Sequence, residues 1–343
     1  LENDFLAQQI LLFKHHYENC KEYKAFVKNI FKINSSNTLF PSLEDMPYLP
    51  VSAFKSHDLF SVPKIEIYKT LLSSGTTSQL RSKIYLNKQN ALNQSLTLSK
   101  IFTEFTGLKR PRLLIIDSPK TISSRENFNA RAAGIIGFSQ LCRHPKFALN
   151  DDMSISIENI ISFIESIKDE NFLIFGFTFI IWLHLVKEKL PDDVKKVINN
   201  KAILLHGGGW KKIENLGISR REFFKTINKN IGINKVINYY GMVEQTGSIF
   251  MECEHGFLHS NYACDIISRC PKTLTPSKIG EKGIAQVFSA LPISYPGISL
   301  LTEDIVEISK EKICKCGRTG KAFKILGRIK NVETRGCSDT YSI

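Results

Sequence analysis

A chain of 343 residues, 43% hydrophobic and 23% charged, can bury a large core, and its ordinary balance excludes a disordered or fibrous protein. The net charge of +13 attracts anions, but the lysines are spread along the chain without a block of five or six like charges, which argues against nucleic acid as the partner. The longest apolar run, residues 172–186, is shorter than the roughly 20 residues a spanning helix needs and is broken by Gly176 and His184, so no stable membrane insertion is expected.

Residues 1–63 are predicted to be helical and then loop-like, with Phe5, Ile10, Phe13 and Tyr17 at helical spacings and Pro41, Pro47, Pro50 and Pro63 punctuating the second part. His15 and His16, beside Lys14, are expected on the surface. Alternation at Ile65, Ile67, Lys69 and Leu71 predicts a strand, "KIYL" at 83–86 predicts another, and the hydroxyl-rich "SSGTTS" joins them. "RLLIID" from Arg112 reads as a buried strand. "SIENIISFIESI" reads as a helix capped by Ser156, with Ile157, Ile160, Ile161, Ile164 and Ile167 along one stripe. Residues 172–186 read as a buried strand followed by a buried helix. There Phe172, Phe175, Phe177 and Phe179 are expected in the core, with an acyl tunnel as the alternative.

"AILL" runs into His206-Gly207-Gly208-Gly209-Trp210, and "KVINYY" runs into Gly241-Met242-Val243-Glu244. Ligands of open α/β sheets lie beyond the carboxyl ends of strands, where both turns fall. Trp210 reads as a packing residue, and His206 either touches a ligand or is satisfied structurally. From about Gly283 the short strands "GIAQVFSA" and "EDIVEIS" indicate a β-rich subdomain. The expected organisation is α/β: a helical segment over 1–63, an α/β core over 64–282, and a β-rich region with a cysteine tail over 283–343. The amino terminus lacks a basic start and a cleavage site. Eight cysteines without a secretion signal read as thiols or metal ligands, so a cytoplasmic protein is expected.

These loops supply, in order, what a nucleoside triphosphate needs. Ser73, Ser74, Gly75, Thr76, Thr77 and Ser78 offer N–H and hydroxyl donors to phosphates, although the Walker pattern is absent and a plain polar turn is the alternative. Gly207, Gly208 and Gly209 let a base lie against bare backbone. Glu244 is the candidate Mg²⁺ ligand, Asp304 in "LLTED" accepts from ribose, and Arg328 in "ILGRIKN" neutralises phosphate or reaches the ribose. Separately, "ECEHGFLH" and "ICKCG" bring Cys253, His255 or His259, Cys314 and Cys316, the ligand count of a closed structural zinc site; buried thiols without metal are the alternative. Cys337 follows Arg335 and Gly336 near the end, where a neighbouring cation favours the nucleophilic thiolate.

"SSGTTS" resembles the T-S-G-T-T-G phosphate loop of the adenylate-forming superfamily, "YYGMVE" its Y-G-x-T-E, and "LTED" with "GRIKN" its T-G-D and G-R-x-x-D elements. Within that superfamily "LLHGGGWKK", "YYGMVEQTGSIF" and the terminal "RGCSDTYSI" resemble the LuxE-type acyl-protein synthetases. The resemblance implies a large adenylate-forming domain of parallel-rich sheets flanked by helices, here without the mobile C-terminal domain of acyl-CoA ligases. It also implies ATP and Mg²⁺ as cofactors, nucleotide contacts from Tyr240 and Gly241, and a carboxylic acid substrate, a fatty acid above all. The acyl group would be captured on Cys337 for a protein acceptor such as a reductase. Some relatives of phenylacetate–CoA ligase carry a similar C…H…C-x-C arrangement. Departures are Ser78 for glycine, Leu80 for proline, Arg81 for lysine, Val243 for threonine and Glu303 for the glycine of T-G-D. A coenzyme A ligase cut short, or a basic binding protein that kept the fold without catalysis, are the rival readings.

Overall fold

The computed structural model describes residues 2–73, 80–123, 130–167, 169–208, 213 and 216–329. These fold as two compact units. One takes in the described residues through Ser73, those up to Ile101 and those from Gly241 onward; the other runs from Phe102 to Tyr240.

The second unit is built on five parallel strands: β4 (Arg112–Ile116), β5 (Arg143–Phe147), β6 (Phe172–Phe177), β7 (Ala202–Gly207) and β8 (Lys235–Tyr240), in the order β5-β4-β6-β7-β8. All six residues of β6 and all six of β7 are buried. Continuous apolar runs of this kind suit a sheet covered on both faces. Helices return the chain between strands. Ile157–Glu165 starts where the Ser156 hydroxyl accepts from the Asn159 N–H, and it buries Ile160, Phe163 and Ile164. Arg220–Ile231 starts at Ser219 in the same way and buries Phe223, Ile227 and Ile231. It stops at Gly232, whose φ of 88° places the backbone so that a Cβ would meet the Lys195 carbonyl oxygen at 2.7 Å. The strand and helix expected over 172–186 are β6 followed by a helical turn, Thr178–Ile180, and a π-turn, Ile181–Leu185. The four phenylalanines named there are buried.

The first unit carries the antiparallel strands β9 (Phe250–Glu252), β10 (Leu258–His259), β11 (Cys264–Arg269), β12 (Lys282–Ser289), β13 (Ser299–Ile308) and β14 (Ala322–Arg328), ordered β11-β12-β13-β14-β10-β9. β1 (Leu49–Pro50) adds to β13 in parallel, and β2 (Ile67–Leu72) pairs β3 (Lys83–Asn87) as a separate hairpin. The β-rich region thus begins near Phe250 rather than at 283. The helix Glu2–Asn19 and the strand β1 belong to the same body as β12 and β13, so the compact units do not follow the boundaries drawn at 63 and 282.

His16 departs from its expected surface position: it is fully buried. Its Nε2 donates to the Pro292 carbonyl at 3.0 Å, which leaves Nδ1 to accept from the Ser61 hydroxyl at 2.7 Å. The reason lies across the interface. Gln9 donates to Ser289 O (2.9 Å), Gln8 to Ala290 O (3.3 Å) and the half-buried His15 to Ile293 O (2.8 Å), so this helix faces carbonyls at the end of β12 and just past it. Buried acceptors need donors.

Burial first, and the neighbouring His15 second, depress His16 to about 3 against the Pro292 bond. The unfolded chain then binds a proton below pH ~6.5 that the folded chain refuses until about pH 3, so stability falls as pH drops through that window. Between pH 7.5 and 5 this group is expected to remove about 2 kcal/mol. His16→Gln keeps a donor for Pro292 without titrating, so urea unfolding should show its stability deficit relative to wild type shrinking by that amount at pH 5. A constant deficit would refute the assignment. Among the described residues no helix is long and apolar enough to cross a membrane.

Candidate functional site

The β2–β3 hairpin ends on the register pair Leu72 and Lys83, and the chain beyond is pinned once more. The Ser73 N–H donates to the Ser82 carbonyl (3.0 Å), and the Ser82 N–H donates to the Ser73 hydroxyl (2.8 Å). The Ser73 side chain therefore closes the neck of the hydroxyl-rich loop. Ser74, Gly75, Thr76, Thr77 and Ser78 lie outside the described residues.

Beside this neck sits Glu244, on the 3₁₀ turn Val243–Gln245 and only 8% exposed. Burial pushes its carboxyl above the usual range, opposed by the Ser82 hydroxyl, its own backbone N–H, and the charges of Lys55 and Arg328. Arg328, the last residue of β14, is the register partner of Asp304 on β13, and its Nε donates to Asp304 Oδ1 at 3.1 Å. Ser73, Ser82, Glu244, Arg328 and Asp304 thus form one continuous polar run inside the first unit. The turn is fixed from below by Gln245, whose Nε2 donates to Gly297 O (2.8 Å) and Val287 O (3.2 Å). A partly neutralised, desolvated carboxylate with cations on one side suits a hard divalent cation that brings its own charge. Ser82, Lys55 and Gln245 were not singled out in the sequence. Ser82 and Lys55 reach Glu244 from far along the chain, and Gln245, though adjacent to it, is fixed by carbonyls 42 and 52 positions away.

In the second unit Gly207 and Gly208 follow His206 at the carboxyl end of β7, and Tyr240 ends β8. The Thr178 hydroxyl donates to Gly207 O at 2.9 Å, so at 2.8 Å it accepts from His206 Nδ1–H. That fixes the tautomer. Burial, with Arg220 adding, depresses His206 to about 3, so the ring is neutral at physiological pH. A Cβ on Gly207 would stand 2.4 Å from the Tyr239 ring: the glycine is where that aromatic lies directly on backbone. Tyr239 in turn contacts Phe138 (5.1 Å between centroids) and stacks at 6.5 Å on Phe175. Gly208 adopts a φ of 93°. Gly209 and Trp210 lie outside the described residues, as does Cys337.

A third cluster joins the β9–β10 turn to the β13–β14 connection. Cys253 Sγ, one imidazole nitrogen of His259, Cys314 Sγ and Cys316 Sγ all lie within 4.8 Å of one another. Of the two histidines the sequence offered, His255 and His259, it is His259 on β10 that lies in the cluster. Two sulfurs bound tetrahedrally to zinc stand about 3.8 Å apart, and a sulfur and a nitrogen about 3.6 Å. The observed separations are 3.9 Å for Cys253 and Cys314 and 3.4 Å for Cys316 and His259 Nε2. Two turns of the same form present the thiols: Gly256 N–H donates to Cys253 O and Gly317 N–H to Cys314 O, each at 2.9 Å, with φ of 77° and 72° at the glycines.

The family described as acyl-protein synthetase, LuxE, matches this chain over residues 2–343. The chain belongs to the LuxE family. Similar proteins include the long-chain-fatty-acid–luciferin-component ligase of Vibrio harveyi, 22% identical over 337 residues, covering 95% of this chain and 84% of that one. The ligase of the same name from Aliivibrio fischeri is 22% identical over 335 residues with the same coverage. Among solved structures, 2-hydroxyisobutyryl-CoA ligase in an open conformation with 2-HIB-AMP and CoA superposes at a TM-score of 0.73, with 17% identity over 97% of this chain and 76% of that one. ATP-bound MatB from Rhodopseudomonas palustris gives 0.51 and 14% over 78% and 49%. These likenesses establish the fold: this LuxE-family chain has the α/β architecture of the adenylate-forming ligases, as expected from its motifs.

Proposed function

We propose that this LuxE-family chain is an AMP-forming ligase that activates a carboxylic acid, a long-chain fatty acid by class, and transfers the acyl group to its own Cys337. The observation that carries the reading is the polar run from Ser73 through Ser82, Glu244 and Arg328 to Asp304, which sets a desolvated carboxylate between a hydroxyl loop neck and an arginine–aspartate pair. The names of the two bacterial luciferin-component ligases support the acid class.

In the first half-reaction a carboxylate oxygen of the acid attacks the α-phosphorus of ATP. The new C–O–P linkage forms as the bond to pyrophosphate breaks, and pyrophosphate carries away the electron pair. Arg328 holds charge developing on the phosphate oxygens and Asp304 accepts from the ribose, the roles that the motif resemblance implies for them. Glu244 would hold Mg²⁺, which when bound neutralises phosphate charge. In the second half-reaction the Cys337 thiolate, its proton lost to solvent, attacks the acyl carbonyl. The C–S bond forms, the bond to AMP breaks, and AMP leaves. A protein acceptor such as a reductase then takes the thioester. Zinc, bound by Cys253, His259, Cys314 and Cys316, would serve as a structural staple outside this chemistry.

Intact-protein mass spectrometry after incubation with Mg·ATP and saturated acids of graded length tests this. The wild type is expected to gain one hydroxylamine-labile acyl mass, and Cys337→Ser to lose it while still releasing pyrophosphate. A thioester persisting in Cys337→Ser overturns the choice of thiol, and acylation only of added coenzyme A favours a coenzyme A ligase.

A further inference from the structure

The surroundings of Glu244 hold more than a metal ligand needs. Three buried polar atoms from three separate segments fall short of hydrogen-bond geometry with any described residue: the Ser82 hydroxyl, which lies against the Glu244 carboxyl, Gln94 Nε2 on the helix Lys88–Thr106, and the Tyr295 hydroxyl in the loop before β13. Ser82 and Tyr295 are fully buried and Gln94 is 4% exposed.

Two glycines bring these segments onto the Glu244 turn. A Cβ on Gly297 would stand 2.4 Å from the Tyr295 ring and 2.8 Å from the Glu244 carbonyl oxygen. A Cβ on Gly247 (φ 88°) would stand 2.7 Å from Gln94 Cα. The turn is therefore clamped between the helix at Gln94 and the loop at Tyr295. The electrostatics agree. Burial chiefly, and the Glu244 charge next, push the Tyr295 phenol up, with the Gln94 amide as its opposing polar neighbour; neither Gln94 Nε2 nor the phenol reaches bonding geometry with a described residue. A purely structural polar cluster satisfies itself, because an unmet buried donor or acceptor is destabilising.

We propose that Tyr295, Gln94 and Ser82 are positioning residues that hold Glu244 and the coordinated waters of a hydrated divalent cation. Mg²⁺ keeps several of its waters when protein-bound. Waters carried by such a cation would need acceptors, which the hydroxyl oxygens of Tyr295 and Ser82 offer, and the Gln94 amide offers a donor beside the Tyr295 phenol. This rests on the ligase reading above and adds to it an outer polar shell that none of the sequence motifs contains.

The test measures retention of Mn²⁺ in the presence of ATP by electron paramagnetic resonance, alongside thermal unfolding of metal-free, nucleotide-free protein. Wild type, Tyr295→Phe, Gln94→Leu and Glu244→Gln are compared. Tyr295→Phe and Gln94→Leu are each expected to weaken Mn²⁺ retention by about 10-fold or more, the usual effect of losing an outer-shell partner. Their metal-free melting temperatures should equal or exceed wild type, since each removes an unmet polar group. Retention within about twofold of wild type overturns the proposal. So does a loss of retention accompanied in both variants by a lower metal-free melting temperature, the mark of a merely structural role. If wild type itself retains no Mn²⁺ with ATP, the ligase reading falls and this proposal with it, an outcome distinct from failure of the two variants alone.

Discussion

Glu244→Gln is expected to cut acid-dependent pyrophosphate release by about 10²–10³-fold, the size seen when one group aimed at developing charge is lost. The same substitution should raise the melting temperature of the nucleotide-free protein at pH 7.5 by roughly 2 °C, taking about 1 kcal/mol for relief of a desolvated charge. The two effects have one cause. Burial raises the carboxyl above its usual range, and Ser82, Lys55 and Arg328 offset that only in part.

A carboxyl whose folded pKa exceeds the unfolded one imposes no cost below the unfolded value. It loses stability as pH rises through the folded value. The thermal advantage of Glu244→Gln should therefore be present at pH 7.5 and vanish by about pH 4, where the wild-type carboxyl is protonated in both states. A glutamine variant that melts lower than wild type at pH 7.5 would show that the carboxylate is already compensated within the protein, and would remove the case for a cation there.

Protein purified without added zinc is expected to carry one zinc per chain, and removing it, by chelation or by Cys314→Ser, should lower the melting temperature by on the order of 10 °C. Structural zinc contributes about 10–16 kcal/mol in small domains, so even a fraction of that shifts the transition by this much. The ligands tie β10, paired to β14, to the connection that leads into β14, the strand that ends in Arg328. Loss of zinc should thus also loosen the Arg328–Asp304 pair and reduce adenylation. Burial pushes the Cys253 thiol up to about 11, so zinc binding must expel its proton, and affinity should fall as pH is lowered. Elemental analysis of folded protein decides the matter: clearly substoichiometric zinc, or a Cys314→Ser variant that melts like wild type, would sink it.

The elements legible in the sequence were those whose signal is local. The Ser156 cap and the continuous apolar runs of β4, β6 and β7 each appear where their residues announced them, whereas β2 starts only at Ile67, Ile65 lies exposed on a 3₁₀ turn, and burial along the strand does not alternate. The residues proposed to serve the nucleotide, Glu244, Asp304 and Arg328, are read from short stretches, because loop chemistry at strand ends is written locally. What escaped was set by pairings over hundreds of positions. His16 looked like a surface histidine on a polar helix face, and nothing nearby in sequence reveals the carbonyls of residues 289–293 that it and its neighbours face. Gly207 suggested an open slot for a base, yet the aromatic lying on it comes from Tyr239, a strand away. Gln94 and Tyr295 belong to no motif at all.

Gln8, Gln9, His15 and His16 make the opening helix the source of donors for the stretch of chain that leaves β12. A protease or a gene truncation that trimmed it at the first recognisable motif would leave those four acceptors without the donors they now have, a loss that destabilises the whole unit holding β12 and β13.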